Sequence, residues 1–308
     1  MTDIEIVDVT ARDGLQNESR VLPPRVRADL VRRLVENGTR RFEVASFVHP
    51  KRVPQMADAE TVVAHLPDCA DAQYIGLCLN LRGAERAVAA SQNVRHGIDE
   101  IGCVIVASDT FGLRNQGQTI DDTLSVIPSM LRFARDNAMT GQVTISAAWG
   151  CPFEGEVSEA TVLRIADALL DHEPSEIALA DTIGVATPDA VESLFHKLRD
   201  LVPDHIPLRA HFHDTRGMAV ANVIASMRAG IRIFDASLGG TGGCPFAPAA
   251  TGNISVEDLL YLFERDGHTT GIDLDSSLET NAWLSEHLGF RLPSRVARAG
   301  GRLIPQEA

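Results

Sequence analysis

The chain has 308 residues, 44% of them hydrophobic, enough to bury a large core as two domains or one α/β barrel, and no break in composition divides it. A formal charge of −14 argues against nucleic acid or an anionic membrane as a general partner, because both reward a basic face, but it leaves room for a locally basic pocket that takes a small anion. Five widely spaced cysteines without a CxxC pair fit reduced thiols; with acidic residues where a targeting peptide needs basic ones, and no apolar run of membrane-spanning length, the expectation is a cytoplasmic protein.

Short apolar runs alternate with amphipathic stretches throughout, the pattern of parallel βαβ units. The first strand is read over residues 4–9. Its helix follows Pro23-Pro24, carries Val26, Leu30, Leu34 and Val35 at helical spacing, and stops at Asn37-Gly38. Strands are expected over 41–45, 72–79 and 101–107, with a short helix over 57–65 after a loop rich in His, Pro, Lys and Arg. A helix starting at Thr119, with Asp122 three residues on, contains Pro128, which should kink it. Further strands fall at 142–147, 176–180, 207–212 and 232–237; Ser158, Thr187-Pro188 and Ser255 supply helix starts. Eight βα pairs in this length, with no GxGxxG turn after the first strand, predict a (β/α)8 TIM barrel as a single catalytic domain, with an appended helix and tail over about 274–308.

The seventh strand ends in Arg209-Ala210-His211-Phe212-His213-Asp214, so the period of two puts His211 and His213 on one face and Phe212 on the other. In such barrels the chemistry sits at the carboxyl ends of the strands. Polar residues there converge: Arg12, Asp13 and Gln16 after strand one, Glu43 and Ser46 after strand two, Asp181-Thr182 after strand six, and a glycine-rich loop around Cys244 that runs on to Asn253. Read singly, the histidines could be a hydrogen-bonded structural pair, Asp13 a turn former before Gly14 and Asn253 a loop residue after Gly252. Their shared mouth lifts them together. A carboxylate, two imidazoles and an amide oxygen, with no thiolate, suit an octahedral divalent cation such as Mg²⁺ or Mn²⁺.

Residues 12–18 (RDGLQNE), 42–56 (FEVASFVHPKRVPQM), 150–155 (GCPFEG), 181–185 (DTIGV) and 242–246 (GGCPF) together resemble the 3-hydroxy-3-methylglutaryl-CoA lyases of the DRE-TIM metallolyase superfamily over nearly the whole chain. The resemblance implies Asp13, His211, His213 and Asn253 as cation ligands, Arg12 as the group that stabilises the enolate, and Cys244 as the catalytic thiol. It implies functional or structural roles for Glu43, Asp181, Glu257 and Asp258, and places Gln16 near the substrate. Ala11, Phe212, Arg216 and Thr241 depart from the family pattern; several of these changes are expected beside the substrate, which puts acyl-group specificity in question more than reaction type. The implied reaction is cation-assisted cleavage of an acyl-CoA to acetyl-CoA and a keto acid, with a histidine, Asp181 or Glu43 as general base.

A citramalyl-CoA lyase, a lyase for an isoprenoid-extended 3-hydroxyglutaryl-CoA, a DRE-TIM aldolase or Claisen condensing enzyme, and a silent cation- or CoA-binding barrel are the competing readings. Lys51, Arg52, Asn80 and Arg82 are candidates for CoA contacts, although lone basic side chains are usually solvated. A homo-oligomer is expected, as symmetric assembly is common among such enzymes.

Overall fold

The computed structural model describes residues 3–243 and 252–301. Strands β1 (Glu5–Asp8), β2 (Arg41–Ser46), β3 (Gln73–Cys78), β4 (Glu100–Val106) and β5 (Thr140–Ser146) are followed by a hairpin, β6 (Gly150–Cys151) and β7 (Gly155–Glu156). Strands β8 (Ile177–Asp181), β9 (Leu208–Phe212) and β10 (Ile233–Ala236) come next. Leaving out the hairpin, the eight strands form a closed barrel in the order β1-β10-β9-β8-β5-β4-β3-β2, with every pairing parallel. The TIM barrel expected from the βα alternation is therefore the fold.

Helices α1 (Pro24–Glu36), α2 (Ala59–Val63), α3 (Leu81–Ser91), α4 (Asp109–Asn115), α5 (Ile120–Asp136), α6 (Glu159–Leu170), α7 (Pro188–Leu201), α8 (Ala219–Arg228) and α9 (Val256–Arg265) are spaced between the strands and after the last. Beyond them lie α10 (Leu274–Leu288) and the short α11 (Arg295–Ala299). Among the described residues no helix is long and apolar enough to cross a membrane. The start signals acted largely as expected: Thr119 and Asp122 close a reciprocal capping box on α5, and Ser158 and Ser255 accept from the N–H groups of Thr161 and Asp258. Thr187 precedes α7 without a side-chain cap, leaving Pro188 to set the first turn. Neither α3 nor α4 was marked out by apolar spacing; Asn80 and Ser108 cap them.

Period-two alternation sorts the strands. Phe42 and Val44, Ile101 and Ile105, Val143 and Ile145, and Ala210 and Phe212 join the large apolar core between sheet and helices. The opposite positions point into the barrel, and there the filling is largely charged. Arg41 binds Glu100 through two nitrogens (2.8 and 2.7 Å) and Glu176 at 2.8 Å; Arg209 binds Glu176 at 2.7 Å and also contacts Asp235 and Gln142. A small apolar group, Val7, Val9 and Ile75 with Ile233, lies beside this network. Arg41, Glu100, Glu176, Arg209 and Asp235 are each bonded to an opposite charge, which is what makes ionic filling tolerable in a low-dielectric interior.

Candidate active site

Strand β1 runs into a single π-type turn, Thr10–Gly14, in which the Gly14 N–H reaches back five residues to the Val9 carbonyl at 3.0 Å. That turn carries Arg12 and Asp13 over the barrel mouth. Position 14 has no room for a larger residue: a Cβ there would stand 2.4 Å from Thr241 Oγ1. Arg12 is gripped from both sides, donating to Glu43 at 2.8 and 2.7 Å and contacting Asp13. The Asp13 carboxylate pays for burial yet is held well below the usual carboxylate range by the positive charges of Arg12, His211 and His213 and a bond from Asn253.

Asp13, His211 and His213 bring one ligand atom each within 4.8 Å of one another. His213 Nε2 lies 3.8 Å from Asp13 Oδ2, and Asn253 Nδ2 donates to that same oxygen at 2.7 Å. His211 Nδ1 is bonded to Asp235 Oδ2 at 2.9 Å, which aims its Nε2 away from Asp235. Burial alone would depress the His211 pKa, but the bond and charge of Asp235, with the charge of Asp13, raise it. The donor set fits a divalent cation, and the decisive detail is Asn253 Oδ1. That oxygen is buried and has no hydrogen-bond partner, an arrangement with a cost unless a cation or solvent meets it. All four residues named as ligands are thus gathered in one place.

The cavity beside this cluster has a volume of about 450 Å³ and is walled by Arg12, Asp13, Gln16, Glu43, Asn80, His211 and His213 among others. Other expected residues stand apart. Asp181 spends its two oxygens on the N–H groups of Val185 (2.9 Å) and Ala186 (2.8 Å), shaping the loop after β8; the neighbouring Ala180 and Thr182 line the cavity instead. Lys51 is exposed and not in the wall, whereas His49 and Arg52 of the same loop are. Asn80 is in the wall but also caps α3 by accepting from Gly83 N–H at 3.0 Å. Cys244 lies outside the described residues. Among the other thiols, burial pushes Cys78 up, and Cys103 up to about 12, so neither offers a thiolate near neutrality.

The four departures from the family pattern do not line the cavity. Phe212 points outward against Trp149, ring centroids 5.8 Å apart, because it occupies the strand face opposite to both histidines. Arg216 donates to the Ile183 and Gly184 carbonyls, Thr241 Oγ1 donates to the Leu238 carbonyl, and Ala11 is buried in the π-type turn. The expectation that several of these changes sit beside the substrate is corrected accordingly. What the linear chain concealed is the support: Asp235, Arg209 and Gln142, and α4, whose Phe111 and Asn115 reach the cavity. The inward positions of β5 and β10 were readable from the period of two, but nothing local marked them as part of the site.

The base of the cysteine loop rests on two buried carboxyl groups. Glu257 accepts from Gly239 N–H (2.9 Å), Ser255 Oγ (2.5 Å) and Asn281 Nδ2 (2.6 Å). Asp8 accepts from Thr10 N–H and Oγ1, both at 2.9 Å, and Thr10 Oγ1 accepts in turn from Leu238 N–H at 2.7 Å. Burial, with the nearby negative charges of Glu257 and Asp235, pushes Asp8 up to about 7 from 3.8. Between those values the folded chain holds a proton that the unfolded chain has lost, so stability falls as pH rises from about 4 to about 7. Asp8→Asn should remove on the order of 3 kcal/mol of that decline between pH 5 and 8. Thermal melts at the two pH values check this, and parallel declines for wild type and variant would refute it. Asp258 has a separate task, accepting from Ser294 Oγ (3.0 Å) and Val296 N–H (2.8 Å) to seat α11.

Comparison with known proteins agrees with this geometry. The HMGL-like family model matches residues 3–283. The chain is 41% identical to the (R)-citramalyl-CoA lyase of Chloroflexus aurantiacus, covering 97% of this chain and 96% of that one. It is 37% identical to the hydroxymethylglutaryl-CoA lyase of Pseudomonas mevalonii, covering 97% of each. Among solved structures, the hydroxymethylglutaryl-CoA lyase of Pseudomonas aeruginosa superposes with a TM-score of 0.90 at 36% identity, over 97% of both chains. An HMG-CoA lyase from Acinetobacter baumannii, in complex with coenzyme A and 3-methylmalate, gives 0.92 at 37% identity, over 99% of this chain and 97% of that one. With a closed parallel barrel, a carboxylate–imidazole cluster at its mouth and this likeness over nearly its full length, the chain belongs to the HMGL-like family of lyases.

Proposed function

We propose that this chain is a divalent-cation-dependent lyase that cleaves a 3-hydroxy-3-methylglutaryl-CoA-like thioester to acetyl-CoA and a keto acid, acetoacetate in the case of HMG-CoA. The observation that carries the reading is the buried cluster of Asp13, His211 and His213 with the Arg12 guanidinium beside it on one cavity wall. Asp13, His211, His213 and Asn253 would hold Mg²⁺ or Mn²⁺, which when bound supplies Lewis-acid polarisation of the substrate's hydroxyl and acyl oxygens.

The chain's own residues divide the remaining work. His211, with Nδ1 committed to Asp235, has Nε2 left to offer the cation and so would serve as a ligand, while the substrate's hydroxyl proton passes to solvent in the cavity. Glu43 and Asp181 have both oxygens engaged, so they act as positioning groups, Glu43 for Arg12 and Asp181 for the loop it shapes. As the bond between C2 and C3 breaks, its electron pair moves onto the thioester as an enolate, and Arg12 opposes that charge from a fixed position. Carbon C2 then takes a proton, for which Cys244 is the assigned donor. Gln16, with Oε1 buried and unpartnered at the cavity wall, meets a substrate donor. His49, Arg52 and Asn80 frame the entrance for the CoA moiety. The cytoplasmic setting and homo-oligomeric assembly expected from the sequence belong to the same reading.

A panel of branched 3-hydroxyacyl-CoA thioesters, scored for acetyl-CoA and keto product with Mg²⁺ or Mn²⁺ present, tests the proposal. No cleavage of any member by cation-loaded protein would overturn it. Citramalyl-CoA is the second reading to include, favoured by the likeness to the Chloroflexus enzyme. Cys244→Ser should keep cation affinity while turnover falls about 10²-fold to 10⁴-fold, the usual range for a lost proton donor; unchanged turnover removes the thiol from the chemistry.

A further inference from the structure

The inward face of β5 presents Gln142, Thr144 and Ser146 to the cavity, one after another. Ser146 Oγ is occupied, donating to the Ile105 carbonyl at 3.3 Å. Gln142 and Thr144 differ. Gln142 is only 2% exposed, and its Oε1 is held by Arg209, which turns Nε2 toward the cavity; Nε2 and the Thr144 hydroxyl have no hydrogen-bond partner among the described residues. Two residues apart on one strand face, their Cα atoms stand roughly 6.6 Å apart along the strand, so both side chains can address one carboxylate.

Their depth matters. Strand register sets His211 level with Ala180, and Ala180 level with Ser146, so Thr144 and Gln142 lie two and four residues deeper than His211. On the adjoining strand β4, Gly102 pairs with Gln142 and Val104 with Thr144, so the wall beside the pair adds no side-chain donor. Asp235, the nearby negative charge, is engaged by Arg209 and His211. A hydrocarbon arm entering here would leave the amide and hydroxyl unpaired, whereas a carboxylate would satisfy both.

We infer that Gln142 and Thr144 hold the free carboxylate of an acyl group in which a methylene separates that carboxylate from the hydroxyl-bearing carbon. This rests on the lyase reading above and sharpens it: the chain favours 3-hydroxyglutaryl-type over malyl-type thioesters. A carboxylate placed directly on the carbinol carbon stays beside the hydroxyl at the cation cluster and does not reach the pair. The small wall at Gly102 and Val104 receives the other substituent of that carbon.

The test uses two substrates, two inert probes and two variants. Thr144→Val keeps the shape and removes the donor; Thr144→Ser restores it. For cleavage, Thr144→Val should lower kcat/KM on HMG-CoA about tenfold more than on citramalyl-CoA, through KM, with Thr144→Ser close to wild type. For binding, wild-type protein should take glutaryl-CoA about tenfold tighter than succinyl-CoA by calorimetry, and Thr144→Val should erase most of that gap. Equal affinities for the two probes in wild type, or a gap that survives Thr144→Val, overturns the assignment. If the cation-loaded protein cleaves neither thioester while the binding gap and its loss persist, the lyase reading fails and the carboxylate subsite stands.

Discussion

Replacing Asp13 by asparagine is expected to abolish tight divalent-cation binding and to lower kcat at least about 10³-fold, since a Lewis-acid contribution of several kcal/mol is lost at about 1.4 kcal/mol per decade. Asparagine preserves the size and one oxygen of the side chain but removes the charge on which the cluster turns. Asp13 is the only carboxylate in the cation cluster with His211 and His213 among the described residues, and Asn253 is oriented through its Nδ2 bond to the same group. The variant should still fold, because Arg12 keeps its two bonds to Glu43. Calorimetric titration with Mn²⁺, alongside turnover on HMG-CoA, checks the result. Wild-type affinity in Asp13→Asn, or turnover within tenfold of wild type, would remove Asp13 from the ligand set.

Arg209→Met is expected to destabilise the protein by about 3 to 5 kcal/mol, the range for breaking a buried ion pair from one side. Arg209 is 1% exposed and lies between Glu176 and Asp235, with Gln142 as a third partner. Without it, among the described residues Asp235 retains only His211, and Glu176 only Arg41, so two carboxylates stay buried with too little positive charge. Urea denaturation should show a lower midpoint. Adding Asp235→Asn should recover part of the loss by removing one orphaned charge, as coupled neighbours do not behave additively. A single-variant loss below about 1 kcal/mol would mean that solvent or a rearranged neighbour compensates for Arg209.

The network also explains an arrangement that activity alone would not require. Asp235 both neutralises Arg209 and fixes the His211 tautomer, so an ionic chain runs from Glu100 at one end of β4, through Arg41, Glu176 and Arg209, to an imidazole of the cation cluster. Partners of this kind orient ligating imidazoles and raise their basicity, and losing one typically costs 10-fold to 100-fold in metal affinity or activity. His211 therefore reaches the mouth already oriented from the barrel interior.

Much was legible in the linear chain. Alternation of apolar runs with 3.6-period stretches dictated eight parallel strands, and the period of two placed His211 and His213 together, because both periods are local properties of the backbone. Arg12, Asp13, Glu43 and Asn253 could be assigned to the same end because strand ends in a barrel converge. Residue by residue, the limits are equally physical. Phe212 reads as a change beside the substrate until the strand face turns it outward to Trp149. Asp181 reads as a free carboxylate until the loop it caps takes both oxygens.

By itself the sequence determined the barrel, the hard donor set and the residues that end each strand, since these depend on local periodicity and side-chain chemistry. Only the tertiary structure decided which charges meet inside the barrel, which oxygens are already occupied, and which donors, Gln142 and Thr144, still face an open cavity. Those facts depend on barrel closure and register, which bring residues from separate strands into contact across the barrel interior. Hydrogen bonds and desolvation act over a few ångströms of space, and separation along the chain carries no record of them.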